Sequence, residues 1–420
     1  MVSNITQPPC CLGLWHLWGV LPLMTLMLAA CSSQPQDKAN QSAIKIGVVS
    51  PLTGEFEPLA QPNLNGIKAA IDDINAAGGI QGKSVELVVK DSKGQLQPSL
   101  KVAETLITEE KVVGIIGAWA SRNTMAIAEQ VTSKHSVPQI SYASTSPAIT
   151  ILEDNDFLFR TATSDAFQGV ALATIARDKR LEKLAILHPN DTYGQGLAES
   201  VRSAFEARGG KITGAVPFEP KQTSYEKELA QLAAGRADAL VIVGLPNEGS
   251  KIIKQALKMG KFDGFILTDS LKSPQVVEAA GPGGLDTSFG TTPQASKGTK
   301  AYIAFKNSYE TKFGELPDIP YTDTAYDATM ILALAIAKAG STEGTAIRDA
   351  MREVANSPGV DVRPGEWEKA IAAIEKGEDI DYVGASGACE FDQHGDVLGT
   401  FGHWIVKNGE FVTVEAMLVK

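Results

Sequence analysis

The chain's chemistry-bearing residues gather at four places. Residues 140–147 read I-S-Y-A-S-T-S-P: an apolar segment from Val137 to Ile140 runs into Ser141, Tyr142, Ser144, Thr145 and Ser146. Residues 117–123 read G-A-W-A-S-R-N, an apolar strand end followed by Ser121 as a candidate helix N-cap. Ser146 has the same form, with Pro147 at the first helical position. Two helix N-termini facing one crevice would offer unpaired N–H groups and positive dipole ends. The hydroxyls of Ser121 and Thr145 would add neutral donors, and the set suits a carboxylate. Taken alone, each segment reads equally well as a plain helix cap. The third place is F-I-L-T-D (265–269), which ends a strand on one acid, Asp269. A lone carboxylate at a crevice can hold an ammonium group, or it can close an Asx turn before Ser270. The fourth is P-N-D-T-Y-G (189–194), where Tyr193 could stack over a ligand or bond to it. Carboxylate donors on one side and an acid on the other describe an α-amino acid held between two domains.

Other chemistries find less support. The loop after the first strand, S-P-L-T-G-E-F (50–56), has no G-x-G-x-x-G, which disfavours a dinucleotide. Neither G-x-S-x-G nor H-E-x-x-H occurs, so no enzyme activity and no cofactor are expected. His16, His135, His188, His394 and His403 are scattered, and none pairs with another at metal-ligand spacing. F-D-Q-H-G-D (391–396) resembles part of a calcium loop but lacks the distal bidentate glutamate, and it reads as a turn. A net charge of −11 argues against a nucleic-acid partner.

The elements that must position these residues alternate. Strand-like runs are I-K-I-G-V-V (44–49), S-V-E-L-V-V-K (84–90) and V-V-G-I-I-G-A (112–118), followed by the run into Ile140. Helical patterns lie between them at 63–79, 100–110 and 121–134. A second series follows, with strands at 183–188, 211–216, 239–244 and 265–269 and helices around 196–208, 225–234 and 248–259. Apolar strands separated by helices predict parallel sheets covered on both faces, one before about residue 160 and one after. The chain then reads as helical from about 296 to 375. It closes with a hairpin over 402–414 that turns at Asn408-Gly409. In such sheets ligands sit beyond the carboxyl ends of the strands, which is where all four groups lie.

The first thirty residues stand apart. They hold no Asp, Glu, Lys or Arg, and Val20 to Ala30 is a short apolar run. That is the core of a signal peptide, though the usual basic start is missing. Leu28-Ala29-Ala30-Cys31 looks like a bacterial lipobox, with Cys31 to be lipidated. The polar tract from Ser32 onward reads as a flexible tether across 31–43. Cys10 and Cys11 would leave with the leader and Cys31 would carry lipid. Cys389 would then stand alone, with no disulfide partner in the mature chain.

One ordered set runs through the chain: S-P-L-T-G, D-I-N-A-A-G-G-I, G-A-W-A-S, S-Y-A-S-T-S-P, F-R-T-A-T-S-D, N-D-T-Y-G-Q-G and F-I-L-T-D. It resembles the branched-chain amino acid binding proteins of ABC transporters, which are type I periplasmic binding proteins. The resemblance implies two Rossmann-like lobes joined by three hinge crossovers. Lobe 1 would comprise 44–161 with 292–385, and lobe 2 would comprise 162–291 with 386–420. It also implies that Ser121, Ala143, Ser144 and Thr145 bind the ligand carboxylate, that Asp269 takes the ammonium, and that Tyr193 borders the pocket. Family members often place aromatic residues where this chain has Leu59 and Leu245, and Trp119 would supply an aromatic wall instead. The expected role is a lipid-anchored receptor in the periplasm or on the outer face of the cytoplasmic membrane. It would be a monomer that closes on an amino acid and delivers it to ABC permease subunits. Two other roles on the same fold stay open: a sensory or regulatory lipoprotein, and a receptor for urea, short amides or aromatic acids.

Overall fold

A computed structural model describes residues 43–54 and 56–419. The leader at 1–30, Cys31 and the tether lie outside the described residues, except Ala43. The strands form two main sheets. The first contains β1 (Ile44–Ser50), β2 (Val85–Asp91), β3 (Ile115–Gly117), β4 (Gln139–Ser141) and β5 (Leu158–Arg160). Its order is β2-β1-β3-β4-β5, and every pairing is parallel. The second contains β6 (Lys183–Pro189), β7 (Lys211–Phe218), β8 (Ala239–Ile242), β9 (Phe265–Leu267) and β10 (Phe289–Pro293). A two-stranded pair, β11 (Val360–Val362) and β12 (Ile380–Tyr382), precedes the closing hairpin of β13 (Gly399–Lys407) and β14 (Glu410–Val419). That hairpin joins the second sheet, giving the order β14-β13-β10-β9-β8-β6-β7.

The apolar runs explain this layering. In β6, Leu184 and Ile186 pack into one hydrophobic cluster, whereas Ala185 and Leu187 pack into another on the opposite face. Side chains alternate along a strand, so a continuous apolar run needs helices on both sides. Helices Glu57–Ala76 and Thr322–Ala339, which pack on each other, cover one face of the first sheet, and helices Leu96–Thr108 and Ser121–Ile127 cover the other. Residues Ala325 to Ala337 of the second helix are buried without a break, as its apolar sequence demands. The described residues form one compact unit. Within it the chain passes between the two lobes three times: after Arg160, after Pro293, and between Tyr382 and Gly399. This is the type I periplasmic binding protein fold.

Several local details depart from the sequence reading. The helix expected over 121–134 runs as Ser121–Ile127, widens into a π-type turn at Ala128–Thr132 and ends at His135. The helix expected after Ser146 is only a 3-10 turn, Pro147–Ile149. Strands β5, β10, β11 and β12 lie outside the expected strands, β11 within the stretch expected to be helical, because each is short and flanked by polar, glycine or proline residues. The hairpin turn lies at Asn408 and Gly409, whose φ of 55° and 81° suit the left-handed pair such a turn requires. Its strands reach further than 402–414.

Candidate functional site

The carboxyl ends of β3, β4, β6, β8 and β9 converge on a cavity of about 220 Å³. The first lobe contributes Phe56, Trp119, Ser121, Arg122, Ala143 and Thr145 to its lining, and the second contributes Tyr193, Leu245 and Asp269 among others. Gly117 ends β3. Its φ is +123°, and a Cβ there would lie 2.3 Å from the Val49 carbonyl oxygen, so only glycine lets β3 turn out beside β1.

One end of the cavity is made of neutral donors. Ser121 is the first residue of its helix, and Ala120 rather than Ser121 holds the N-cap position. The Ser121 hydroxyl instead accepts the Ser146 N–H at 3.2 Å, which leaves its own proton free to donate. The Ser146 hydroxyl caps the short turn after it, accepting from Ala148 N–H, and donates to the Thr192 carbonyl of the second lobe at 3.0 Å. A three-residue turn carries no macrodipole of use, so the expected pair of helix dipoles reduces to one helix end plus individual donors. Thr145 lines the cavity, and its N–H meets no acceptor among the described residues.

The structure does not bring Ser144 to the ligand space. Its hydroxyl turns into the wall, bonded to Thr124 at 2.7 Å and to the Ala118 and Trp119 carbonyls. Tyr142 is likewise buried. Its hydroxyl bonds to Ser50, and burial pushes its pKa up to about 12.

The other end is acidic. Asp269 is almost wholly buried and accepts hydrogen bonds from Tyr193 at 2.8 Å, from Tyr321, and from Ser270 at 3.3 Å. Tyr321 comes from the first lobe, immediately before helix Thr322–Ala339. Its backbone is left-handed at φ 74°, a conformation that costs a non-glycine residue on the order of 1 kcal/mol. A second acid, Asp165, begins helix Asp165–Asp178. It is fully buried and accepts the Thr145 hydroxyl at 2.9 Å through one oxygen. Its other oxygen has no partner among the described residues. Burial holds the Asp165 pKa well above the ordinary carboxylate value, and the Asp269 charge raises it further. One Asp165 oxygen thus lacks a partner while the Asp269 charge acts on the same carboxyl, an arrangement that a cation would relieve.

Asp165 and Tyr321 escaped the sequence reading as site residues. Asp165 stands in F-R-T-A-T-S-D, directly after the N-cap Ser164, a position that reads as ordinary capping. The apolar wall also differs from expectation. Leu59 is core, whereas Phe56 lines the cavity and packs on Trp119 at 5.2 Å between ring centres. Trp119 is fixed by its indole N–H bond to Asn63. Leu245 does face the cavity. F-D-Q-H-G-D forms a turn in which Asp392 accepts the N–H groups of His394 and Asp396. Among the described residues, no group of acids, histidines and cysteines could hold a metal.

Known proteins share this architecture. The structure of a leucine binding protein, LivK, from Thermotoga maritima is 26% identical with a TM-score of 0.76, covering 90% of this chain and 99% of that one. The branched-chain amino acid transporter substrate binding protein LivJ from Streptococcus pneumoniae, in complex with isoleucine, is 25% identical with a TM-score of 0.74 over 90% and 99%. An amino acid binding protein of Pseudomonas aeruginosa is 27% identical over 71% of this chain and 80% of its own length. Residues 43–370 match the family described as periplasmic binding protein, and the chain belongs to that family.

Proposed function

We propose that this protein is the extracytoplasmic receptor of an ABC importer and captures a small aliphatic amino acid, of the branched-chain class, between its two lobes. The observation that carries the reading is Asp269, buried in the lining of a cavity that also presents the Thr145 N–H and the Ser121 hydroxyl, with Asp165 bonded to the Thr145 hydroxyl and sensing the Asp269 charge. A zwitterionic head group matches acid and donors at once. Its carboxylate takes the neutral donors, and its ammonium supplies the cation that would relieve the acids. Phe56, Trp119 and Leu245 leave an apolar space for the side chain. Ala143, with Thr145, frames the carboxylate, and Tyr193 and Tyr321 hold Asp269 in place.

The lobes divide as 44–161 with 292–385, and 162–291 with 386–420. Ligand seated on one lobe stabilises the closed arrangement through contacts to the other, so closure is a population shift. The closed form is what the permease subunits engage. Lipid on Cys31 keeps the monomer beside them, in the periplasm or on the outer face of the cytoplasmic membrane. The likeness to LivK and LivJ supports this reading.

Calorimetry tests it. Soluble protein beginning at Ser32 retains the compact unit; unfolded and refolded to strip ligand, it is titrated with amino acids, their amides, urea and benzoate. Tight binding of leucine, isoleucine or valine that is lost with the amides is the expected result. Silence across all the amino acids sinks the proposal.

A further inference from the structure

Arg160, at the end of β5, lies outside the cavity and is fully buried. All five of its guanidinium protons are engaged. Nε and Nη2 grip Asp396 at 2.6 and 2.7 Å. Nη2 also meets Thr150 at 3.0 Å, whose hydroxyl donates to the same carboxylate at 2.6 Å. The two protons of Nη1 go to backbone carbonyls, Ser146 O at 2.9 Å and Ser144 O at 3.3 Å. These carbonyls flank Thr145, whose own carbonyl is taken by the Asp165 N–H at 2.8 Å. Three consecutive carbonyls are therefore fixed.

The N–H of Thr145 belongs to the same peptide group as the Ser144 carbonyl. In a trans peptide these two point in opposite directions. A guanidinium on the carbonyl side therefore turns the Thr145 N–H away from itself, and it also polarises the amide into a stronger donor. We propose that Arg160 is a positioning residue for carboxylate capture: clamped by Asp396, it orients and polarises the Ser144–Thr145 peptide whose N–H receives the ligand's carboxylate. This inference rests on the amino-acid reading above. It gives the turn at 391–396 a task, because Asp396 reaches the ligand loop from the third crossing between the lobes.

The test compares Asp396→Asn and Arg160→Lys with Tyr382→Phe. The last removes a 2.8 Å bond to buried Asp327 near the same crossing, away from the ligand loop. Two readouts are taken on the ligand-stripped protein: the Kd for L-leucine, and the amide resonance of Thr145 in protein labelled with [15N]threonine, without leucine. Asp396→Asn and Arg160→Lys should each raise Kd at least tenfold and move the Thr145 resonance. Tyr382→Phe should lower thermal stability while keeping Kd within twofold. A folded Asp396→Asn protein that binds leucine within twofold of wild type, or that leaves the Thr145 resonance in place, overturns the proposal. If both ion-pair variants fail to fold, Thr150→Val is read by the same criteria, with a threefold rise in Kd as the threshold. If the wild-type protein binds no amino acid, the amino-acid reading fails, and the Thr145 resonance alone decides whether Arg160 positions that peptide.

Discussion

The two ends of the cavity are built by opposite means. The carboxylate end is built chiefly from neutral donors, with Arg122 beside them in the lining. Its donors come from two neighbouring strand ends of one lobe, over residues 117–146, and their backbone carbonyls are already bonded within the protein. The ammonium end is charged and composite. Asp165, Tyr193 and Asp269 come from the second lobe and Tyr321 from the first, and one buried carboxylate oxygen stays unpaired. An anion site of neutral amides and hydroxyls can be complete before ligand arrives, because such groups are cheap to hold in place. A cation site of buried acids cannot, because its charges stay uncompensated until the cation comes. The ammonium end should therefore set how strongly binding depends on conditions, and the carboxylate end should set which head groups fit.

The largest effect should come from the charged end. Asp269→Asn should weaken leucine binding by roughly 2–5 kcal/mol, because it removes one partner of a buried charge pair; calorimetry reads it directly. Next comes pH. Burial and the Asp269 charge raise the Asp165 pKa, so the empty protein keeps that proton to higher pH than an ordinary carboxyl would, and a bound ammonium would favour its release. Affinity should rise with pH through that window by at most about 1.4 kcal/mol per pH unit. Binding heats in buffers of different ionisation enthalpy should show proton release. For the empty protein the sign runs the other way. The folded state keeps a proton that the unfolded state has lost, so the contribution of Asp165 to stability falls as pH rises from 3.8 upward. Asp323, raised by burial and by Asp327 to about 6, adds the same slope between 3.8 and about 6. Thermal melts across pH 4 to 8 would check this. The smallest effect belongs to the neutral end: Ser121→Ala should cost about 0.5–1.5 kcal/mol of leucine affinity, with the pH slope unchanged. A larger loss at Ser121 than at Asp269 would break the division between the two ends.

That same division governs what could be read from the chain. The neutral end is written in two local stretches, G-A-W-A-S and S-Y-A-S-T-S-P, because consecutive residues at a strand end share one location. The charged end draws on residues 165, 193, 269 and 321. Only the lobe crossings bring these together, and no local pattern joins Asp165 to Asp269. Length was the weak point of the fold reading. An N-cap followed by proline marks where a helix begins, but at Ser146 it opened a single turn. The polar, proline-ended β10 and the short β5 were invisible to hydrophobic patterning, while the long apolar runs of β1 and β6 and the Asn-Gly hairpin were plain. Leu59 entered only through the resemblance, as the place where family members often carry an aromatic, and the structure puts Phe56 in the lining instead.

The lobes touch where helix Thr192–Ala207 meets the Ser146–Pro147 turn. A Cβ at Gly196 would lie 2.8 Å from the Pro147 ring and 3.3 Å from the Ser146 hydroxyl. A rigid ring cannot yield as a flexible side chain would, so Gly196→Ala should act as a wedge that penalises the shut arrangement from outside the cavity lining. Apparent affinity scales with the fraction of molecules competent to close. Such a wedge should therefore divide the affinity for leucine, isoleucine and valine by one common factor, making residue 196 a gain control that is blind to ligand identity.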